Sequence, residues 1–83
     1  MPTIFNEDGF RFFFYSKDLG ERPHVHVEST DGEAKIWLDS FTIAKIFGDI
    51  GKKDLRKIIQ IARLRHDEIM MAWDEMIRRG GNI

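Results

Sequence analysis

Residues 24–38, HVHVESTDGEAKIWL, decide how the first half of the chain is expected to fold. Polar residues alternate with apolar ones on both sides of the turn-forming residues 29–32, and an alternation of period two is typical of strands with one covered face. Side chains two residues apart on a strand point the same way. The stretch therefore predicts a β-hairpin with its valines on one face and its histidines on the other.

The residues on either side of this hairpin predict further strands. A β-prone run at about 3–6 is followed by Asp8-Gly9, a strong hairpin signal because glycine accepts a positive φ, and then by an aromatic-rich strand. Residues 42–47 fit a fifth strand or a short helix, and their β-branched content favours the strand. We expect an antiparallel sheet of four or five strands, at about 3–6, 10–16, 24–28, 33–38 and, if there are five, 42–47.

The second half of the chain has the pattern of an amphipathic helix. From Lys52 to about Arg78 there is no Gly or Pro, and apolar residues recur at alternating spacings of four and three. One unbroken helix over 52–78 would be about 40 Å long, which exceeds the size expected of so small a domain, so a kink near 65–67 is the alternative. The fold class is α+β, in a single domain over residues 1–83. The predicted stripe consists of Leu55, Ile59, Ala62, His66, Ile69, Trp73 and Met76.

Composition bounds the kind of protein. The 83 residues are 42% hydrophobic, which suffices for one compact core, and the absence of cysteine excludes disulfides, zinc–thiolate sites and thiol catalysis. The net charge of −1 gives no general attraction to nucleic acid. The chain shows neither a secretory signal nor an apolar run of membrane-spanning length. We therefore expect a cytoplasmic protein that does not insert into a membrane.

The histidine face of the hairpin is the one concentration of chemically capable side chains in the sequence. His24, His26 and Glu28 share that face by strand geometry. If the apolar positions of neighbouring strands align, further residues join it, namely Arg11, Phe13, Tyr15, Lys35 and Trp37.

This face has several interpretations. In a ribonuclease-like site, His24, His26 or Glu28 takes the 2′-hydroxyl proton, a second group protonates the leaving oxygen, Arg11 or Lys35 holds the phosphate, and Tyr15 and Trp37 stack a base. A metal site on the two histidines and Glu28 is weaker, because no second cluster of ligands is visible. We predict no metal and no cofactor. The alternative with no specific function is a packed or half-covered surface. The same mixture of side chains is also typical of protein-binding patches, with Trp37, Lys35, His24 and His26 as contact residues.

A basic cluster marks the start of the helical half. Lys52, Lys53 and Arg56 are candidates for contact with nucleic acid, although charges beside an apolar stripe usually form a solvated face. No Gly-rich phosphate loop, nucleophile elbow or zinc-finger spacing is present.

Several strings of the sequence, taken in order, resemble the uncharacterised bacterial family called domain of unknown function 4160. They are residues 2–5 with Asp8-Gly9, 11–16, 23–27, 32–38 and the late Ala72-Trp73. Here Arg22-Pro23 replaces the Pro-Pro that the family commonly has before His-Val-His-Val. The resemblance implies a small prokaryotic protein, often encoded beside a second short protein and often grouped with toxin–antitoxin pairs. It supplies no catalytic residues.

The leading hypothesis is a small interaction module, one component of a toxin–antitoxin-like pair that acts by binding a small cognate protein encoded nearby. The alternative is an RNA-cleaving or RNA-binding toxin that uses His24, His26, Glu28, Arg11 and Tyr15. The sequence leaves open whether the protein is an enzyme and whether it forms a homodimer.

Overall fold

The computed structural model describes residues 3–15 and 20–80. Within these residues, five strands form one antiparallel sheet in chain order, and two helices follow. This arrangement confirms the predicted α+β fold. The elements are β1 Thr3–Glu7, β2 Phe10–Phe13, β3 His24–Ser29, β4 Gly32–Trp37, β5 Ile43–Gly48, α1 Lys52–Leu64 and α2 His66–Gly80.

The observed strands agree with the predicted ones to within one residue at each end, except at the end of β2. The run at 42–47 is a strand, as its β-branched content favoured, displaced by one residue. The strand predicted over 10–16 ends at Phe13, because Phe14 packs edge-on against Trp73 at 5.3 Å and Tyr15 reaches Glu33. Ser16, the last residue of that prediction, lies outside the described residues.

The helical half is broken at Arg65, within the region predicted for a kink. Arg65 has φ −108° and ψ 25°, yet the backbone hydrogen bonds continue across it. Its N–H donates to the carbonyl of Ile61 at 2.9 Å, and the N–H of Ile69 donates to the carbonyl of Arg65 at 3.0 Å. The helix therefore bends without being separated into independent pieces. Within residues 3–15 and 20–80, no helix is long and apolar enough to cross a membrane.

The core lies between the helices and one face of the sheet. Phe12, Val27 and Ala34 are paired across three strands and fully buried. Burying a side chain of the size of Phe12 or Val27 contributes roughly 1.5–3 kcal/mol, so this layer is a substantial part of the core. The helices supply the matching surface, with Ile58, Ile61, Ala62, Ile69 and Trp73 buried.

Two turns hold the outer strands in place. Asp8 and Gly9 both have positive φ, at 53° and 85°, as the primed turn of a two-residue hairpin requires. Phe41, in the connection from β4 to β5, has φ 56°, a strained value for a bulky residue. Its ring contacts His66 at 5.1 Å and lies 5.1 Å from the Arg63 guanidinium. These contacts attach the β4–β5 hairpin to the helical bend.

Candidate functional site

The sheet face opposite the helices gathers the predicted histidine face. The antiparallel register places His26 between Phe13 and Lys35, and His24 opposite Trp37. Five rings follow one another across this face, and we call them the aromatic layer. They are Phe13, Tyr15, His24, His26 and Trp37.

Each ring of the aromatic layer contacts the next. Phe13 and Tyr15 have centroids 5.1 Å apart, Tyr15 and His26 4.5 Å apart, and His26 and His24 5.0 Å apart. The series ends at Trp37, 5.8 Å from His24. All of these are edge-to-face contacts, the geometry that aromatic quadrupoles prefer. The two imidazoles therefore do project together, as the strand pattern predicted.

The imidazoles of the aromatic layer are buried. His24 is 0% exposed and His26 is 7% exposed, because neighbouring rings cover them. His24 also contacts Trp73 of α2 at 5.4 Å, and its Nδ1 lies 2.8 Å from the carbonyl oxygen of Arg22. Since a carbonyl only accepts, His24 Nδ1 carries a proton. His24 thus joins the layer to the core, which corrects the expectation of a display of both histidines on a sheet surface.

The Glu33 carboxylate contacts two rings of the aromatic layer, those of Tyr15 and His26. Tyr15 donates its hydroxyl hydrogen to Glu33, at 3.0 Å from Oε1 and 3.2 Å from Oε2. His26 Nδ1 lies 3.3 Å from Glu33 Oε2. Burial, followed by this hydrogen bond, raises the pKa of Tyr15. Sequence reasoning missed Glu33, although it lies two residues before Lys35 and so shares the face.

Glu28, the predicted acidic residue, has a different role. Its carboxylate accepts a hydrogen bond from Arg11 Nε at 3.1 Å, and its side chain is 53% exposed. Arg11 also donates to the Thr3 hydroxyl at 3.0 Å and lies 4.1 Å above the Phe13 ring. Arg11 and Glu28 therefore form a rim that covers Phe13, beside Glu33 and His26.

Two cations bracket the other end of the layer. The Arg22 guanidinium lies 4.5 Å from the Trp37 ring and Lys35 Nζ lies 4.8 Å from it. Both cations have acidic partners, with Arg22 paired to Asp39 and Lys35 Nζ 3.2 Å from Glu21. Hydrogen bonds from Arg22 lower the pKa of Asp39. Two of the predicted contact residues, Trp37 and Lys35, thus lie at the rim of the layer, where both cations beside the Trp37 ring already have acidic partners.

A second candidate surface, which the sequence reasoning did not select, lies along β5. Ile43, Ile46 and Phe47 are 38%, 39% and 52% exposed. By register, Lys45 and Phe47 share the face of Lys35 and Glu33, while Ile46 shares the face of Ala34. Apolar side chains therefore flank this strand on both faces. We call Ile43, Lys45, Ile46 and Phe47 the β5 edge.

The basic cluster follows the β5 edge directly in the chain. Lys52, Lys53 and Arg56 are exposed on the first turns of α1, and only residues 49–51 separate α1 from β5. Among residues 3–15 and 20–80, none of these three forms an ion pair. None contributes to the aromatic layer, so the predicted catalytic and nucleic-acid residues do not form one site.

No arrangement of three or more His, Asp or Glu side chains suited to a metal ion occurs in the part of the chain that the structure describes. In comparisons with known proteins, the family model described as Domain of unknown function (DUF4160) matches residues 9–74, which is most of the chain. No significant match was found among curated proteins or among solved structures. The matched range includes both the aromatic layer and the β5 edge.

Proposed function

We propose that this chain, which belongs to the DUF4160 family, is an interaction module that works by binding a small cognate protein. The observation that carries the proposal is the exposure of three large apolar side chains, Ile43, Ile46 and Phe47, on a single strand. Exposed apolar side chains concentrated in one place mark binding surfaces. The cognate protein is the product of a neighbouring reading frame, and the two form a toxin–antitoxin-like pair.

The state of the aromatic layer supports binding over catalysis. A general base must reach the proton that it removes, yet His24 is fully buried and His26 is 7% exposed. Glu28 and Arg11, which the catalytic reading required, are paired with each other. The aromatic layer therefore acts as a second small core that stiffens the sheet. The stiff sheet holds β5 in a fixed position for binding.

The direct test is co-expression of the chain, carrying an affinity tag, with the product of the neighbouring reading frame. We expect the two proteins to co-purify, and Phe47→Ser to reduce the recovered partner strongly. The matched control is Met71→Ser, since Met71 is 72% exposed on α2 and far from β5 in the chain. Equal recovery with both variants, or no recovery with the native chain, would refute the proposal. Growth of cells that express each protein alone then assigns the roles in the pair.

One observation favours RNA cleavage as a second candidate function. Glu33 lies within 3.3 Å of His26 Nδ1, and a carboxylate in this position orients an imidazole so that its other nitrogen acts as the base. In this reaction the 2′-hydroxyl loses its proton to His26, its oxygen bonds to phosphorus, and the 5′-oxygen leaves with a proton from Tyr15. The products are a 2′,3′-cyclic phosphate and a 5′-hydroxyl end.

The two functions are separated by variants in the aromatic layer. If the protein cleaves RNA, His26→Ala and Glu33→Gln abolish cleavage while Glu28→Gln, a change outside the Glu33 contacts, retains it. Circular dichroism checks that each variant is folded. If RNA stays intact with the native chain as well, the catalytic candidate is eliminated and binding remains.

A further inference from the structure

The β5 edge combines an open backbone with a particular pattern of side chains. β5 is the last strand of the sheet, so its outer backbone edge has no strand partner among the described residues. Exposed N–H and C=O groups of an edge strand form a template for one more strand. Apolar side chains lie on both faces beside that template, with Ile46 on the helix face and Phe47 on the other. An extended segment laid along β5 would cover both.

Lysines without an acidic partner among the described residues lie on β5 and at the start of α1, where Asp49 and Asp54 also occur. Lys45 lies in the middle of β5, and its Nζ is 4.9 Å from the Phe47 ring. Lys45, Lys52 and Lys53 form no ion pair within residues 3–15 and 20–80, whereas Lys35, in register with Lys45, is neutralised by Glu21. Cross-strand pairs of opposite charge stabilise a sheet and like charges opposed across strands destabilise it. Lys45 therefore favours an acidic residue opposite it on any strand that pairs with β5.

The same lysine disfavours a second copy of the chain as the occupant. In a two-fold symmetric antiparallel pairing centred on the middle of β5, the two Lys45 side chains would lie directly opposite or diagonal to each other. Both positions place like charges within interaction range. An acidic segment from a different protein avoids this repulsion.

We propose that the β5 edge binds an extended acidic segment of the partner, which adds to the sheet as a sixth strand. The segment alternates apolar residues, packed against Ile43 and Ile46 on the helix face, with Asp or Glu residues beside Lys45 on the other face. This inference rests on the proposed function, because it assigns the surface that the cognate protein uses. Strand addition of this kind takes its affinity from main-chain hydrogen bonds and its specificity from alternate side chains.

The probe is a short blocked peptide that alternates valine and glutamate, titrated into the full chain by fluorescence polarisation. A peptide with lysine in place of each glutamate is its matched control. We expect only the acidic peptide to bind, more weakly at high salt, and Lys45→Glu to weaken it about five- to tenfold. Lys57→Glu, a reversal on α1 of a lysine that faces Asp8, should leave the affinity unchanged.

Backbone methylation distinguishes strand addition from simple charge attraction. In an extended peptide, valine N–H groups point to one edge and glutamate N–H groups to the other. We expect N-methylation of one residue type to abolish binding and N-methylation of the other to preserve it. Equal effects of the two methylated peptides, equal binding of the acidic and basic peptides, or no effect of Lys45→Glu would overturn the inference.

Two further outcomes keep this inference separate from the proposed function. If the native chain retains its cognate protein but fails to bind the acidic peptide, the interaction module stands and the acidic-strand site is rejected. If a single-stranded RNA oligonucleotide binds at Lys45, Lys52 and Lys53 while the acidic peptide does not, the basic surface serves nucleic acid and the inference is also rejected. Binding of the peptide without any cognate complex would reject the pair and support the site.

Discussion

The two outer strands of the sheet, β1 and β5, differ in how far their aromatic side chains are covered. On β1, Phe5 is only 9% exposed, and the Arg65 guanidinium lies 3.5 Å from its ring centroid and 2.7 Å from Glu7. On β5, Phe47 is 52% exposed and its neighbouring cation, Lys45, has no acidic partner in the described part of the chain. Arg65 covers side chains of β1, whereas Phe47 on β5 is left exposed; the outer backbone edges of both strands lack a strand partner among the described residues.

A shared feature makes this difference more informative. Each outer strand has a bulge in its pairing, at Ile4 in β1 and at Ala44 in β5, and bulges discourage edge-to-edge association. General protection against aggregation therefore acts at both edges. The additional cover by Arg65 acts only at β1, and it leaves the exposed side chains of β5 as the difference between the two edge strands.

The largest expected effect comes from the matched pair Phe5→Ala and Phe47→Ala. Removing the buried ring of Phe5 should lower the free energy of unfolding by about 3–5 kcal/mol. Removing the exposed ring of Phe47 should lower it by at most about 1 kcal/mol. Urea denaturation measures both, and Phe5→Leu serves if Phe5→Ala does not fold. Similar losses of unfolding free energy for the two alanine variants would show that the Phe5 and Phe47 rings are covered to a similar extent.

A second matched pair of variants, at Gly9 and Gly48, separates the cost of backbone strain from the cost of a steric clash. Gly48 has φ 88°, and a Cβ there would lie 2.4 Å from the Asp31 carbonyl oxygen. Gly9 has φ 85° with nothing within 4 Å of its Cβ position. We expect Gly9→Ala to cost about 1 kcal/mol through strain alone and Gly48→Ala about 2–4 kcal/mol through strain and clash together. Equal losses in thermal unfolding would contradict the close approach that fixes the end of β5.

A third prediction concerns the closed state of the aromatic layer. Tyr15 is the one tyrosine of the chain, so the absorbance of its phenolate reports its titration directly. We expect its pKa to lie above the ordinary 10.0, because burial and the bond to Glu33 favour the neutral form. Glu33→Gln should lower that pKa in part, since burial is the larger cause.

The sign of the resulting pH dependence follows from the raised pKa. The stability that neutral Tyr15 contributes is fully present below the unfolded pKa of about 10 and is lost as pH rises through the higher folded value. Tyr15→Phe should remove this alkaline loss. A Tyr15 pKa at or below that of a free tyrosine would show an open face, which would then compete with the β5 edge as the binding surface.

Much of the fold was predictable because alternation and helical spacing are local. The face that β3 and β4 share followed from the alternating valines and the apolar positions of residues 33–38, and it correctly placed Lys35 and Trp37 on the face of the two histidines. The helical stripe was less accurate. Ile58 and Ile61 are buried, although the predicted stripe omitted both, because the buried face of a helix is wider than a single row of side chains.

The candidate surfaces were harder to predict because they depend on which strand ends the sheet and on what covers each face. The sequence placed His24 and His26 together but gave no sign that neighbouring rings and Trp73 would bury them. It showed Glu33 on the correct face without showing that Tyr15, just past β2, would reach it. The exposure of Phe47 follows from the position of β5 at the edge, which a lone strand pattern does not reveal.

Amide hydrogen exchange, compared between the free chain and its complex with the cognate protein, tests most directly whether β5 is the edge that binds. We expect exchange to slow in residues 43–48 and to stay unchanged in residues 3–7, where Arg65 already contacts the Phe5 and Glu7 side chains. Slowing in β1 or in the aromatic layer, with β5 unaffected, would contradict the assignment of the open edge as the binding site.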